Sequence, residues 1–98
     1  MLKARFMPEA EAELAQAWQW HEDRELGLGD ELVRAVKVVI AQASREPECY
    51  PQVLEDLRRG PVRKFPYGVI YGVRGNHLVV FAVYHSRRDP EGWHGRAS

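Results

Sequence analysis

Seven consecutive apolar residues, LVVFAVY at positions 78–84, stand near the end of this 98-residue chain. The run is too short for a membrane helix, which needs about 18–20 apolar residues. It is also too continuous for a strand with one solvent-exposed face, in which apolar and polar residues alternate. We therefore predict an interior β-strand over residues 77–84, covered on both faces.

Two further strands are predicted in the same third of the chain. Residues 67–74 (YGVIYGVR) place apolar side chains at every second position, and Gly75-Asn76 after them is a two-residue hairpin turn. Residues 62–65 are predicted as a short strand before this hairpin. Residues 46–60 have no regular pattern, so we predict a connecting loop there.

The first half of the chain carries helical periodicity. Apolar residues recur at helical spacing over residues 8–24 and again from Leu32 to before Pro47, which predicts two helices. Gly27 and Gly29 separate them, and Asp30 is predicted near the N-cap of the second helix. Two helices joined by so short a turn pack as an antiparallel hairpin.

These elements predict a β-αα-βββ order. Residues 2–6 alternate and form the first short strand. The fold class is α+β, with a helical hairpin packed on a small antiparallel sheet. A chain of 98 residues fits one domain, so we expect residues 1–98 to form a single unit.

The zero net charge conceals an asymmetry between the two halves of the chain. Residues 1–49 carry six Lys or Arg against ten Asp or Glu, whereas residues 50–98 carry eight against four. Seven of those eight bases are arginine, which contacts phosphate and carboxylate in a planar, two-point geometry. The C-terminal half is therefore expected to meet an anionic partner.

Several kinds of site are not indicated by the sequence. Cys49 is the sole cysteine, which excludes a disulfide framework and a cysteine-based zinc site. The four histidines have no metal-ligand spacing, and Gly27-Leu28-Gly29 lacks the third glycine of a dinucleotide fingerprint. We expect no metal, no cofactor and no membrane association. Without a signal-peptide pattern, the expected location is the cytoplasm.

Basic residues flank the predicted hairpin on both sides. Arg63 and Lys64 precede it, and Arg87 and Arg88 follow it. In an antiparallel meander these positions lie at one end of the sheet, where they would join Tyr67, His85 and Trp93. Cations gathered in this way repel each other without a partner, which favours an anionic phosphate or an acidic protein segment.

Three stretches resemble the RelE/ParE superfamily of type II toxins, and in particular its ParE-like branch. They are residues 13–18 with 26–29 (ELAQAW and LGLG), residues 62–71 (VRKFPYGVIY) and residues 82–93 (AVYHSRRDPEGW). The Phe-Pro-Tyr strand and the His-x-Arg-Arg-x-Pro-x-x-Trp ending are specific in combination. The family fold agrees with the predicted β-αα-βββ order.

The resemblance implies one of two activities. ParE-like members bind DNA gyrase and poison it on DNA without catalysis of their own, as in plasmid stabilisation systems. RelE-like members are metal-independent endonucleases that cut mRNA on the ribosome. Gly68 stands where the nuclease branch often has arginine, and the C-terminal tyrosine of that branch is absent. A ParE-like binding toxin is therefore favoured over the endonuclease.

Each activity implies its own site residues. In the ParE-like interpretation the target-binding residues are Arg63, Lys64, Tyr67, His85, Arg87, Arg88 and Trp93. In the endonuclease interpretation the catalytic residues are Arg63, Lys64, His85 and Arg88. A third alternative is a member without toxicity that only binds its antitoxin.

All three alternatives imply a cognate antitoxin as partner, with a homodimer or a toxin–antitoxin heterotetramer as further assemblies. Trp18 and Trp20 lie two apart on one helix, so both cannot face the core, and one is expected to be available to a partner. Together with Arg58 and Arg59, they are the predicted antitoxin-binding residues.

Overall fold

A computed structural model describes residues 1–88 and 91–97 of the chain. In chain order the elements are β1 (Lys3–Phe6), α1 (Pro8–Arg24), α2 (Leu28–Arg45), β2 (Gln52–Leu54), β3 (Leu57–Pro61), β4 (Tyr67–Arg74), β5 (His77–His85), the short helix α3 (Glu91–His94) and a 3₁₀ turn (Gly95–Ala97). The predicted α+β fold, with a helical hairpin on a sheet, is confirmed. Among the described residues no helix has the length and apolar character to cross a membrane.

The sheet has five strands in the order β1-β5-β4-β3-β2. Its neighbours are antiparallel except at one edge, where β1 runs parallel to β5 with Lys3 opposite His77 and Phe6 opposite Val80. β1 and its neighbours in the sheet are not joined by a tight turn. After β1 the chain crosses one face of the sheet as the helical hairpin, and this long connection allows β1 to pair in parallel with β5.

β5 is an interior strand that packs on both faces, as the apolar run predicts. Leu78, Val80 and Val83 belong to the core between the sheet and the helices, whereas Phe81 and Ala82 belong to a second cluster on the outer face. A β-bulge allows the consecutive side chains of Phe81 and Ala82 to lie on the same face of the sheet. Ile70 of β4 pairs with Ala82 and Tyr71 pairs with Val80, so Phe81 has no partner on β4.

The helical hairpin is closed by side chains of α1. Gly27 has a φ of +89°, and the Glu22 carboxylate accepts hydrogen bonds from the N–H groups of Gly27 and Gly29 at 2.8 and 2.9 Å. Glu22 thus satisfies orphan donors at the start of α2. Asp30 lies near the N-cap, as predicted, in the first turn of α2 after the N-cap residue Gly27. Its side chain does not cap the helix but accepts a hydrogen bond from Trp18 Nε1 at 2.8 Å.

The region predicted as a connecting loop, residues 46–60, instead contains β2 and most of β3. The turn between them holds Glu55, whose φ is +51°. In β3, Leu57 is fully buried on the outer face and Gly60 lies against Val39 on the helix side. β3 was not predicted because two arginines and a glycine break the alternation of apolar residues by which a strand is recognised in a sequence.

Residues 62–65, predicted as a strand, form a turn. The Phe65 N–H donates to the Val62 carbonyl at 3.2 Å, and Lys64 has a φ of +72°. Pro61 and Pro66 bracket the segment and cannot donate to a strand ladder, which is why the chain turns here. Val62 remains buried, and this burial accounts for its apolar character in the sequence.

Candidate functional site

The 62–66 turn and residues 85–88 meet at one end of the sheet. Tyr67 at the start of β4 pairs with His85 at the end of β5. The N–H and the hydroxyl of Ser86 both donate to the Pro66 carbonyl, at 2.8 and 2.9 Å. Asp89 and Pro90 of the predicted motif lie outside the described residues.

The side chains of these two segments divide between two clefts. The α1 cleft, of about 640 Å³, lies between α1 and the sheet end and is lined by Gln16, Ala17, Trp20, His21, Tyr67, His85 and Arg88 among others. The α2 cleft, of about 670 Å³, is lined by Arg34, Ala35, Val38, Arg63, Lys64 and Phe65 among others. Of the predicted basic cluster, Arg63 and Lys64 thus line the α2 cleft and Arg88 lines the α1 cleft, whereas Arg87 is exposed and lines neither.

Trp93 joins neither cleft. Its side chain is only 3% exposed and packs on the outer face of the sheet, with its ring centroid 5.8 Å from that of Tyr84. Its Nε1 is buried and has no hydrogen-bond partner among the described residues. The structure thus separates Trp93 from the other predicted target-binding residues.

Four aromatic and imidazole rings form a row along the α1 cleft. The ring centroids of Trp20 and His21 are 4.8 Å apart, those of His21 and Tyr67 5.6 Å, and those of Tyr67 and His85 5.2 Å. Burial raises the pKa of the Tyr67 hydroxyl, and the nearby positive charge of Arg88 opposes part of that rise. Arg88 lies at the His85 end of the row, since its N–H donates to the His85 carbonyl at 3.0 Å and both residues line the cleft.

The hydrogen bonds of the two histidines indicate which nitrogen carries the proton. His21 Nδ1 lies 2.7 Å from the Ala17 carbonyl, to which it can only donate. His85 Nδ1 accepts from the Arg87 N–H at 3.1 Å, so in the neutral ring the proton is on Nε2. His21 thus keeps an acceptor on Nε2, and His85 keeps a donor on Nε2.

The α2 cleft combines apolar and basic side chains. Val38 is 68% exposed in the middle of α2, one turn from Arg34. Arg63 and Lys64 line the opposite side of the cleft on the turn. Lys64 has the left-handed backbone conformation, which is costly for a residue with a Cβ and is often found at functional positions.

The four basic residues of the sheet end are not neutralised by described side chains. Arg63, Lys64, Arg87 and Arg88 are exposed, and no described residue forms an ion pair with any of them. Two other arginines do have such partners, since Arg74 pairs with Asp56 and Arg96 pairs with Glu13, both at 2.9 Å. Other exposed bases, such as Lys37 and Arg45 on α2, also lack an ion pair with a described residue. What distinguishes the sheet end is that four such bases lie on two segments that are held together by backbone hydrogen bonds.

The predicted antitoxin-binding residues lie on different surfaces. Trp20 is 52% exposed, with the Arg24 guanidinium 3.6 Å from its ring centroid, whereas Trp18 is half-buried between the helices. Arg58 points to the helix side of β3 and donates to the Tyr50 carbonyl at 2.7 Å. Arg59 lies on the outer face, packed over Gly68. Trp20 is therefore the exposed tryptophan of the pair.

His21 is the cleft residue that sequence reasoning missed. It falls on the apolar stripe of α1 and is only 6% exposed, so its position in the sequence indicates a core histidine. The feature of the sequence that indicates the cleft is the adjacent Trp20, a large apolar residue that does not fall on the core face of α1. Among the described residues, no three His, Cys, Asp or Glu side chains are grouped so that they could hold a metal ion.

Comparison with known proteins identifies the family. A model of the ParE toxin of the type II toxin–antitoxin system parDE matches residues 4–90. No curated protein sequence matches the chain. Among solved structures, the chain is similar to one described as the chromosomal ParDE TA system from P. aeruginosa, with a TM-score of 0.63 and 13% identity over 87% of this chain and 96% of that chain. That likeness concerns the fold, whereas the family match spans most of the sequence, and we conclude that this chain belongs to the ParE toxin family of type II toxin–antitoxin systems.

Proposed function

We propose that this protein arrests bacterial growth by binding a cellular target, that the target is DNA gyrase, and that a cognate antitoxin neutralises it. Membership of the ParE toxin family supports the toxin role. The gyrase target rests on the resemblance of residues 62–71 and 82–93 to the ParE-like branch. In this proposal the chain acts by binding and has no catalytic step.

The observation that carries the proposal is the set of unpaired cations at the sheet end. Arg63, Lys64, Arg87 and Arg88 are exposed and lack an ion pair with any described residue. Their mutual repulsion is relieved when an anionic surface binds. An enzyme that is engaged with DNA presents such a surface, through phosphates and through acidic side chains.

Exposed apolar side chains beside these cations support a protein partner. Trp20 and Val38 are 52% and 68% exposed, and each lines one of the two clefts. Tryptophan and arginine together are enriched at the energetic centres of protein interfaces. The same corner of the molecule therefore suits both the target and the antitoxin, so that antitoxin binding would exclude the target.

Controlled expression in a bacterial host tests this proposal. We expect growth arrest, intact transcripts in the first minutes, and loss of negative supercoiling in a reporter plasmid. The double charge reversal Arg63→Glu with Lys64→Glu should abolish the arrest. Lys37→Glu with Arg45→Glu is the matched control, because it changes the net charge by the same amount and both residues are exposed on α2 but line neither cleft.

Two results would contradict the proposal. Transcripts cleaved at defined positions soon after induction would replace it with the endonuclease activity. Normal growth, with wild-type protein accumulating in soluble form and no antitoxin present, would indicate a member without toxicity.

A further inference from the structure

The α1 cleft is aromatic at one end and cationic at the other. Trp20, backed by Arg24, forms the aromatic end, and the row of rings leads through Tyr67 to His85 and Arg88 at the cationic end. Its volume of about 640 Å³ is typical of small-molecule sites, which span roughly 300–1,000 Å³. A ligand that matches this order has a flat ring at one end and a negative charge at the other.

Polar atoms along the cleft are without partners. In the structure, no described residue bonds to His21 Nε2, His85 Nε2 or the Tyr67 hydroxyl. Only 6% of the His21 surface is exposed, but its Nε2 is not a fully buried atom, so water can reach it and a ligand in the cleft can supply the donor in place of that water. The cleft therefore offers one acceptor beside the aromatic end and donors toward the cationic end.

The carboxylate that lines the cleft does not oppose an anion. Glu13 Oε1 accepts from Arg96 Nη1 at 2.9 Å and from the Val83 N–H at 3.0 Å, while Oε2 accepts from Arg96 Nη2 at 3.2 Å. Its charge is thus engaged by Arg96. Arg88, by contrast, forms no ion pair with a described residue and is available to the cleft.

We propose that the α1 cleft binds a nucleotide unit, with the base against Trp20 and Tyr67 and the phosphate held by Arg88 and His85 Nε2–H. Stacking of a base on aromatic rings combined with a guanidinium on the phosphate is a general mode of nucleotide recognition. The donor and acceptor edge of a base can also meet the open Nε2 of His21. This inference does not depend on which target the toxin binds.

Calorimetric titration of the purified full-length chain with adenosine monophosphate, adenosine and inorganic phosphate tests the two ends of the cleft. Adenosine monophosphate should bind most tightly, because it alone satisfies both ends. Arg88→Gln should weaken its binding by about tenfold or more, the effect of losing one charge-assisted contact. Trp20→Leu should reduce the advantage of the nucleotide over inorganic phosphate.

Arg45→Gln is the matched control, because it removes the same charge from an exposed position outside the cleft. Its affinity should stay within about twofold of the wild type. A parallel titration with short 5′-phosphorylated single strands of RNA and DNA separates the two sources of a nucleotide. Much tighter binding of a strand assigns the site to nucleic acid, and equal binding assigns it to the free nucleotide.

Three outcomes would overturn the inference. The first is no saturable binding of nucleotide or strand up to roughly 10 mM, well above a weak dissociation constant of about 1 mM. The second is an equal loss of binding in Arg88→Gln and Arg45→Gln, which would show nonspecific attraction. The third is saturable binding of an acidic peptide in the cleft while the nucleotides do not bind.

Discussion

Glu13 and Arg96, which are 83 positions apart in the sequence, form a two-point ion pair that covers a free edge of β5. The Arg96 nitrogens lie 2.9 and 3.2 Å from the two Glu13 oxygens. Strand β1 pairs with β5 only as far as Val80. Beyond it, Glu13 accepts from the Val83 N–H at 3.0 Å and Arg96 donates to the Phe81 carbonyl at 2.9 Å. The pair thus replaces a strand for these backbone groups and holds the C-terminal turn on the sheet.

Removal of either partner should therefore destabilise the protein. Glu13→Ala or Arg96→Ala each leaves a partly buried charge and an unpaired backbone group, so we expect a loss of about 1–3 kcal/mol in the free energy of unfolding. A double-mutant cycle measured by urea denaturation should give a favourable coupling of at least about 0.5 kcal/mol. In Glu13→Ala, hydrogen exchange at the Val83 amide should also accelerate. Additive effects and unchanged exchange would mean that the pair contributes nothing.

The helical hairpin should not tolerate a side chain at Gly29. A Cβ at this position would lie 2.6 Å from the Trp18 carbonyl oxygen, which belongs to the backbone of α1 and cannot rotate away. We expect Gly29→Ala to cost about 1–3 kcal/mol, as overpacking does. Gly92→Ala is the control, because a Cβ there meets nothing within 4 Å. Thermal unfolding of both variants measures the difference, and equal midpoints would show that the helices can separate at this point without cost.

Two neighbouring apolar residues of α2 should respond differently to truncation. Ile40 is 9% exposed in the core between helices and sheet, whereas Val38 is 68% exposed on the rim of the α2 cleft. Ile40→Ala should reduce the free energy of unfolding by about 2–5 kcal/mol. Val38→Ala should change it by less than about 0.5 kcal/mol. Similar losses of unfolding free energy for the two variants in chemical denaturation would mean that α2 is rotated about its own axis relative to this structure.

Tyr71 should make stability depend on alkaline pH. Burial is the main cause that raises its pKa from 10.0 to about 12, with Cys49 adding to the rise and Arg58 opposing it. The folded hydroxyl keeps its proton above pH 10, where the unfolded one has lost it, so this contribution is complete below pH 10 and is lost between pH 10 and about 12.

The variant Tyr71→Phe isolates this effect. It lacks the ionisable group and the 2.7 Å hydrogen bond to the Pro47 carbonyl, so at neutral pH it should be less stable by about 0.5–1.5 kcal/mol. Above pH 10 the wild type should lose stability relative to the variant by up to about 1.4 kcal/mol per pH unit. Urea denaturation at several pH values measures the gap, and a constant gap would contradict the assignment.

The sequence predicted those elements whose periodicity is regular. Helix α1 occupies the predicted residues 8–24, and the apolar run of β5 packs on both faces as expected. β3 was missed because Gly60 and two arginines occupy strand positions that usually carry apolar side chains. The strand predicted at residues 62–65 was wrong because Val62, which is buried, and Phe65, which is partly buried, give the same apolar pattern in a turn as they would in a strand.

The candidate site was predictable in its location but not in its division into two clefts. Antiparallel pairing alone brings residues 62–66 beside residues 85–88. The cleft that Arg63 and Lys64 face depends on the turn geometry at Lys64, which has a positive φ. A lysine in the sequence does not predict that backbone conformation. The burial of Trp93 on the outer face depends on the short helix α3, which the sequence does not mark by periodicity.

A supercoiling assay with purified DNA gyrase tests the central proposal most directly. Wild-type protein should inhibit the introduction of negative supercoils in a dose-dependent way and trap cleaved DNA. The charge-matched control, Lys37→Glu with Arg45→Glu, should inhibit to the same extent as the wild type, whereas Arg63→Glu with Lys64→Glu should not inhibit. Full gyrase activity in the presence of folded wild-type protein that stops growth in cells would contradict the assignment of gyrase as the target.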